Sequence, residues 1–262
     1  MKKYLALIWA FFKASAISDL EYRMNIAMKV FTDIIWYIAQ LSVFEVLFDH
    51  TNAIGGWNIE SMRVFMGVLF LIDAVWMLIF QENFDKFSEK IRKGDLDLLL
   101  AKPVNAQFMM TFQKMSAAYL INILVASSYL AYSLAHLTRE VNYWQVIFLL
   151  ISIPSALGVT YGLRFFFSAS ALIFTRAENI SYIWYQFYRL GMRPEAFYPP
   201  WLRYLVLSLI PVGFIASVPS RLILEPPTLL LVAGTLIFPA IAVYISTRFW
   251  KFALTFYSSA SS

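Results

Sequence analysis

The sequence has 262 residues, of which 60% are hydrophobic and only 14% are charged, whereas soluble domains average about 25% charged residues. The net charge of +5 does not indicate nucleic-acid binding, because the basic residues cluster beside apolar segments rather than on one soluble face. The absence of cysteine excludes a disulfide scaffold and a thiolate site. The composition therefore predicts a membrane protein.

Residues 1–25 combine two lysines with an apolar run that ends near Phe12. Small residues follow at 14–16, so this segment imitates a secretory signal peptide with a cleavage site. The pattern stays amphipathic beyond that site, with Ile17 and Leu20 apolar among charged neighbours. A helix that lies on the membrane surface explains this continuity better, and we predict one over 1–25.

Two apolar stretches follow, at 27–48 and 62–80, and each is long enough for a hydrocarbon core of about 30 Å. A short loop containing Gly55 and Gly56 joins them. Asp73 stands near the middle of the second stretch. Both stretches are predicted to be transmembrane helices.

The segment 82–103, which we call the coupling segment, carries the densest charge in the sequence. Phe84, Phe87 and Ile91 recur at helical spacing and predict an apolar ridge on a short helix. Gly94 is placed to end that helix in a left-handed conformation, and Pro103 disfavours any later continuation. We interpret the segment as a docking element at a membrane face; the alternative is an ordinary charged loop.

The second half of the chain predicts further spans, with one polar segment and one broken segment among them. The span at 143–174 contains Gly158-x-x-x-Gly162, which indicates ordinary helix packing more often than a dimer seam. The orientation argued below requires an even number of spans. We therefore predict an all-α polytopic fold with six transmembrane helices in a single domain, 1–262. The later segments are 108–135, 143–174, 180–190 (short and polar), 204–224 (broken by Pro211 and Pro219) and 228–247.

The segment 197–224 is predicted to enter the membrane and return on the same side. Tyr198, Pro199, Pro200 and Trp201 form a rigid aromatic lead-in, and Pro211 breaks the helix that follows. A broken helix at membrane depth is tolerated only where protein or water covers its carbonyls. We predict two short helices with their turn at 211–213.

The basic residues predict the orientation. By the positive-inside rule both termini and the coupling segment lie in the cytoplasm, which requires an even number of spans. The residues on the predicted cytoplasmic side are Lys2, Lys3, Lys13, Arg23, Lys29, Lys86, Lys90, Arg92, Lys93, Lys102, Arg176, Arg248 and Lys251. Those on the opposite side are mainly Arg63, Arg139, Arg193, Arg203 and Arg221.

Catalytic chemistry finds no support in the sequence. No G-x-x-x-x-G-K-[ST] loop occurs, so P-loop nucleotide binding is not expected. His50 and His136 stand alone, without metal-ligand spacing, and no Ser/His/Asp set is evident. We therefore predict no catalytic residues and no metal site on this chain.

Ionisable groups at membrane depth are costly unless paired or hydrated, which makes Asp73 and Arg164 candidate pathway residues. They either line the pathway or pair with each other as structural support. Gln186 and Arg189, with neighbouring Tyr185, are further candidates, although Arg189 also suits a side chain that snorkels to the outer headgroups.

Two motifs together give the sequence a family resemblance. Ile91, Gly94, Leu96, Asp97, Leu100 and Pro103 fit an apolar-x-x-Gly-x-Leu-Asp-x-x-Leu-x-x-Pro pattern. The block 198–203, followed by Ile210-Pro211, is the second motif. The first resembles the first cytoplasmic loop of ABC-2-type exporter permeases, and the second resembles the outer re-entrant segment of that family. With the span pattern, the resemblance covers nearly the whole chain.

The resemblance implies a function and partners. The coupling segment would dock in a groove of a separate ATPase subunit that holds ATP and Mg²⁺, and a second permease chain would complete the pathway in the inner membrane. The residues assigned to this docking are Phe84, Phe87, Ile91, Arg92, Gly94, Leu96, Asp97, Leu100 and Pro103. The aromatic and aliphatic composition suits an amphipathic or lipid-like substrate, in contact with membrane lipids. The alternatives are an ion-gradient-driven transporter or channel, with Asp73 as the ion-linked group, and a lipid-modifying membrane enzyme.

Overall fold

In the computed structural model, the residues described are 2–174 and 178–257, and they are almost entirely helical, with one isolated β-bridge between Ile54 and Trp57. The 175–177 segment, which includes the basic Arg176 used in the orientation argument, lies outside the described residues. The α-helices in chain order are α1 (Lys2–Glu21), α2 (Arg23–Asp49), α3 (Ile59–Trp76), α4 (Glu82–Asp85), α5 (Phe87–Arg92), α6 (Asp95–Leu100), α7 (Ala106–Phe112), α8 (Tyr119–Ala135), α9 (Tyr143–Ala169), α10 (Glu178–Gly191), α11 (Pro200–Tyr204), α12 (Ser217–Leu224) and α13 (Leu229–Ala253).

Among the described residues, four helical stretches are long and apolar enough to cross a membrane: Arg23–Asp49, Ile59–Arg92, Tyr143–Leu172 and Leu229–Phe256. Helix α8 is apolar but shorter, and α10 is shorter still. The predicted all-α architecture is confirmed, with four candidate membrane spans among the described residues. The count of six spans stays a prediction, since it needs both short helices to cross as well.

Helices α2 and α3 run antiparallel, as ion pairs at their two ends show. Lys29 Nζ lies 2.9 Å from Glu82 at one end, and Arg63 Nε lies 2.6 Å from Glu45 at the other. Helix α3 continues through a π-helical segment, Met77–Gln81, into α4. We call the end of the bundle that carries residues 82–103 the coupling end, and the end that carries residues 197–224 the hairpin end.

The predicted continuous span at 108–135 is wrong, because the chain leaves the helix at 113–118 between α7 and α8. Other parts of the chain bond to the backbone of this break. Asn83 Oδ1 accepts a hydrogen bond from the Lys114 amide at 2.9 Å, and the Ser116 amide donates to the Leu78 carbonyl at 3.0 Å. Such partners let a polar break persist between apolar helices.

The first helix is attached to this same break. Ser15 Oγ accepts from the Met115 amide at 3.1 Å, and Ser116 Oγ donates to Asp19 at 3.2 Å. The helix predicted at 1–25 is present as α1, and a turn at Tyr22 separates it from α2. Its polar face is thus tied to the coupling end of the bundle.

Helices α9 and α13 pack closely through two glycines. A Cβ added at Gly162 would lie 2.5 Å from the Ala242 carbonyl carbon, and one at Gly158 would lie 2.8 Å from Pro239. The Gly158-x-x-x-Gly162 motif therefore serves packing within the chain, which is the preferred sequence interpretation.

The segment 197–224 forms two short helical arms. Helix α11 continues into a π-helical turn, Leu205–Leu209, and the chain then breaks at Ile210-Pro211 before a 3₁₀ turn, Val212–Phe214, and α12. The break lies at Pro211, where the turn is predicted, and residues 211–220 are buried in protein. The break predicted at Pro219 is wrong, because this proline lies in the first turn of α12, where its missing amide donor costs no helical hydrogen bond. Protein cover of this kind is what a broken helix at membrane depth requires.

The two arms of this hairpin begin and end beside one buried carboxylate. Glu195 is 1% exposed, and its Oε1 lies 3.1 Å from Arg221 and 3.7 Å from Arg203. Ser217 also donates a hydrogen bond to Glu195. A continuous helix would place residues 203 and 221 about 27 Å apart, so the segment turns back on itself instead of crossing the bundle.

Candidate functional site

The coupling segment folds as three short helices. The chain turns at Lys86 between α4 and α5, so the single amphipathic helix expected here is interrupted. Gly94 adopts a φ of 78° between α5 and α6, a left-handed conformation that favours glycine. The predicted glycine stop is therefore present, and the chain leaves it directly into α6.

The apolar ridge faces the protein interior. Phe84 and Phe87 are 1% and 0% exposed. The Phe87 ring lies 5.6 Å from Phe165 of α9 and 6.0 Å from Trp250 of α13, both edge to face. Phe84 and Phe87 thus anchor the coupling segment to the two long helices and are not available as a contact surface, whereas Ile91 is half-buried.

The outer face of the segment is formed by later residues. Leu98 is 66% exposed and Leu100 is 43% exposed, while Leu96 and Leu99 are buried beneath them. Of the other residues in the predicted docking set, Arg92 and Pro103 are exposed, and Ile91, Gly94 and Asp97 are half-buried. Burial and the nearby Asp97 carboxylate both raise the pKa of the Tyr257 hydroxyl, so Tyr257 lies beside α6.

A cavity of about 360 Å³ lies between α2, α3, α9 and α10. It begins at the coupling end, where Asp85 forms part of its wall, and extends to Asp73 in α3. Its wall combines indole and phenol rings with carboxylates and one guanidinium group. The lining residues are Thr32, Asp33, Trp36, Asp73, Trp76, Met77, Gln81, Asp85, Thr160, Arg164, Ser181, Trp184, Tyr185, Tyr188 and Met192.

Asp73 and Arg164 both line this cavity, but they do not pair with each other. The Tyr188 hydroxyl donates to Asp73 Oδ1 at 2.8 Å. Arg164 Nη2 lies 4.0 Å from Asp85 Oδ1 and 3.3 Å from Ser181 Oγ. The pairing alternative drawn from the sequence is wrong because Asp85, one turn beyond the π-helical segment, is the carboxylate nearest to Arg164.

Arg164 connects the cavity to the coupling segment. Its side chain is 6% exposed, and its Nη2 also approaches the Phe84 carbonyl at 3.5 Å. Its Nη1 has no hydrogen-bond partner among the described residues. A single buried guanidinium therefore contacts α4, α10 and the cavity.

The other two predicted pathway residues lie elsewhere. Gln186 is half-buried and Arg189 is exposed, and neither lines the cavity. The cavity face of α10 is formed by Ser181, Trp184, Tyr185, Tyr188 and Met192. Of the sequence candidates on α10, only Tyr185 is on that face.

Sequence reasoning also missed residues that the structure brings to the cavity. Asp33 lies inside the first span, so the rule that singled out Asp73 would have found it. Tyr188 and the tryptophans carried no comparable signal, because aromatic residues are abundant throughout the sequence. Glu195 was missed as well, since nothing in the sequence shows that two distant arginines converge on it.

The predicted residues of the hairpin have distinct positions. The Tyr198 hydroxyl donates to the Leu190 carbonyl at 2.9 Å and so fastens the lead-in to α10. Pro199, Pro200 and Trp201 are exposed, with Trp201 at 69%. Pro211 is buried at the break.

Comparisons with known proteins give one match. A family model described as "ABC-2 family transporter protein" matches residues 34–261. No curated protein and no solved structure matches the chain. The matched region begins inside α2 and contains the coupling segment, the hairpin and every lining residue of the cavity except Thr32 and Asp33.

Proposed function

The chain belongs to the ABC-2 family of transporter proteins, and from that membership we propose that it is the permease subunit of an ATP-driven exporter. ABC-2 permeases are membrane components of transporters and normally work with ABC ATPase partners. In this proposal separate ATPase subunits hold ATP and Mg²⁺, and the permease chain provides the route for an amphipathic substrate. The coupling segment and both termini lie in the cytoplasm, and the membrane is the inner membrane.

The observation that carries the proposal is the attachment of the coupling segment to the transport helices. Phe84 and Phe87 are buried against Phe165 of α9, and Phe87 also contacts Trp250 of α13. Because packed interiors deform little, a displacement of the segment is passed to α9 and α13 as a unit. An ordinary surface loop has no such connection.

A second connection leads from the segment to the cavity. Asp85 belongs to α4 at the start of the segment, and it lies 4.0 Å from Arg164 in the cavity wall. A movement of α4 relative to α9 changes this contact and the shape of the cavity together. Closure of the ATPase dimer on ATP then favours one conformation of the bundle over another.

The proposal includes a second permease chain, so that two coupling segments meet two ATPase subunits. Helix α2 has large apolar side chains on its exposed face, among them Met28, Phe31 and Ile35, at 58%, 60% and 50% exposure. Lipid and a second chain are the expected neighbours of such a face. In the same proposal, the hairpin end of the bundle faces the outside of the cell, opposite the coupling end.

The test targets the exposed face of α6 and leaves the buried ridge intact. We expect Leu98→Asp combined with Leu100→Asp to abolish co-purification of the ATPase and ATP-dependent transport, while expression and monodispersity stay normal. Leu229→Asp, at a residue that is 86% exposed near the hairpin end, is the matched control and retains both. Unchanged ATPase association in the double variant would contradict the docking assignment. Transport by the purified permease alone on an ion gradient would favour the secondary-transporter alternative.

A further inference from the structure

Aromatic rings form much of the cavity wall between α2, α3, α9 and α10. Trp76 and Trp184 are 6% and 7% exposed, and Tyr188 is 9% exposed. Trp36 and Tyr185 complete this part of the wall. The faces of indole and phenol rings carry partial negative charge and attract organic cations.

Among the residues that the structure describes, the charges in the cavity wall do not balance. Asp33, Asp73 and Asp85 bring three carboxylates, and Arg164 is the lining residue with a permanent positive charge. Arg164 lies beside Asp85 at the coupling end, and Lys29, near Asp33 in the chain, is bound to Glu82 at 2.9 Å. Among the described residues, neither Asp33 nor Asp73 has an ion-pair partner within 4.0 Å.

The two unbalanced carboxylates are held by neutral donors. Asp33 Oδ2 accepts from Asn122 Nδ2 at 2.8 Å, and Asp73 Oδ1 accepts from the Tyr188 hydroxyl at 2.8 Å. These bonds orient the carboxylates but supply no positive charge. Asp73 is 6% exposed and lies in the cavity wall, and an ionised group at such depth is costly unless something offsets it.

We propose that this cavity is a binding site for an organic cation with an aromatic or alkyl body. The positive centre lies near Asp73 and Asp33, and the body lies against Trp76, Trp184 and Tyr188. The ligand supplies the charge that the wall lacks, and the rings stabilise both its charge and its apolar surface. The inference deepens the proposed transport function, since it names the class of substrate.

The direction of the cavity fits an amphipathic molecule. Asp73 in α3 and Asp85 in α4 belong to one continuous helical stretch, which the π-helical segment joins. At 1.5 Å per residue they are about 18 Å apart along its axis. Between them Trp76, Met77 and Gln81 face the same cavity. An elongated ligand therefore places its cation at Asp73 and extends towards Asp85 and Arg164 at the coupling end.

The first test needs no variant. Labelled tetraphenylphosphonium is equilibrated by dialysis against the purified permease without ATPase, with equal detergent on both sides. Tetraphenylborate, an anion of nearly the same shape, is measured separately. We expect saturable binding of the cation at one site per chain and no saturable binding of the anion. Equal binding of the two ions, or no saturable binding of the cation, would overturn the proposal.

Variants then locate the site. Asp73→Asn is expected to weaken cation binding about tenfold or more, and Trp184→Leu about fivefold. Asp49→Asn and Trp144→Leu, at exposed positions outside the cavity, are the matched controls and retain wild-type affinity. Unchanged affinity in monodisperse Asp73→Asn protein would refute the assignment. Because this assay contains no ATPase or nucleotide, its failure leaves the docking test of the proposed function unaffected, and the reverse also holds.

Discussion

Arg203 and Arg221 reach the same carboxylate oxygen, Oε1 of Glu195, although the whole hairpin separates them in the chain. Each arginine marks one end of the segment that hydropathy alone would place across the membrane. Their convergence means that both ends of the hairpin lie at one level of the bundle. The topology of the last third of the chain depends on this contact.

The first prediction concerns that topology. Single cysteines at Trp201, Pro226 and Lys251 are placed in the naturally cysteine-free chain and probed with an impermeant thiol reagent on intact cells. All three positions are exposed. We expect labelling at the first two, on the outer side, and labelling at Lys251 only after permeabilisation. Protection of position 226 in intact cells would show that the segment crosses the membrane.

A second prediction follows from the burial of Glu195. Replacing it by Gln removes the buried carboxylate that Arg203 and Arg221 share, and it also weakens the Ser217 contact. We expect a loss of about 2–4 kcal/mol in the free energy of unfolding, measured by thermal denaturation in detergent. Glu225→Gln affects Arg221 from a side chain that is 45% exposed, so its expected cost is below about 1 kcal/mol. Equal effects of the two variants would contradict the assigned role of Glu195.

The third prediction separates folding from docking in the coupling segment. Phe87→Ala opens a cavity at a fully buried ring and is expected to cost about 3–5 kcal/mol in stability, whether or not an ATPase is present. Leu98→Ala, at an exposed side chain, is expected to change stability by less than about 0.5 kcal/mol. Thermal unfolding of both purified variants provides the comparison. Normal stability of Phe87→Ala would mean that the ridge does not anchor the segment.

The fourth prediction concerns Arg164. A double-mutant cycle of Arg164→Gln with Asp85→Asn is expected to show a coupling energy of about 0.5–1 kcal/mol, since the pair is 4.0 Å apart and the Asp85 side chain is 54% exposed. The corresponding cycle with Asp73→Asn is expected to be additive within about 0.5 kcal/mol. Unfolding in detergent measures both. A larger coupling to Asp73 than to Asp85 would reverse the assignment made here.

Local rules predicted much of the fold from the sequence. Four long apolar helices, the glycine stop at Gly94 and the break at Pro211 appear where the sequence places them. Each feature depends on a property that can be read within a short stretch of sequence. These properties are the length of an apolar segment, the left-handed backbone that glycine allows at Gly94, and the amide donor that Pro211 lacks. The break at 113–118 was not predicted, because its stabilising partners, among them Asn83 and Ser15, are distant in sequence.

The candidate site was less predictable for the same reason. The cost of buried charge singled out Asp73 and Arg164, which both line the cavity, but it gave no information on their partners. Pairing depends on which face of each helix turns inward, and α10 turns Tyr188 inward rather than Arg189. The buried state of Phe87 likewise depends on Phe165 and Trp250, which only the folded chain brings near.

The π-helical segment Met77–Gln81 joins α3 to α4 and sets the angular position of the side chains in α4. One residue more than a regular α-helical turn rotates the later side chains by about 100° around the helix axis. With this extra residue in place, Asp85 Oδ1 lies 4.0 Å from Arg164 Nη2. Deleting a single residue within 77–81 would turn the start of the coupling segment away from the cavity while changing no charge. In the proposed exporter, coupling between the ATPase and the cavity would therefore depend on helix register as well as on residue identity.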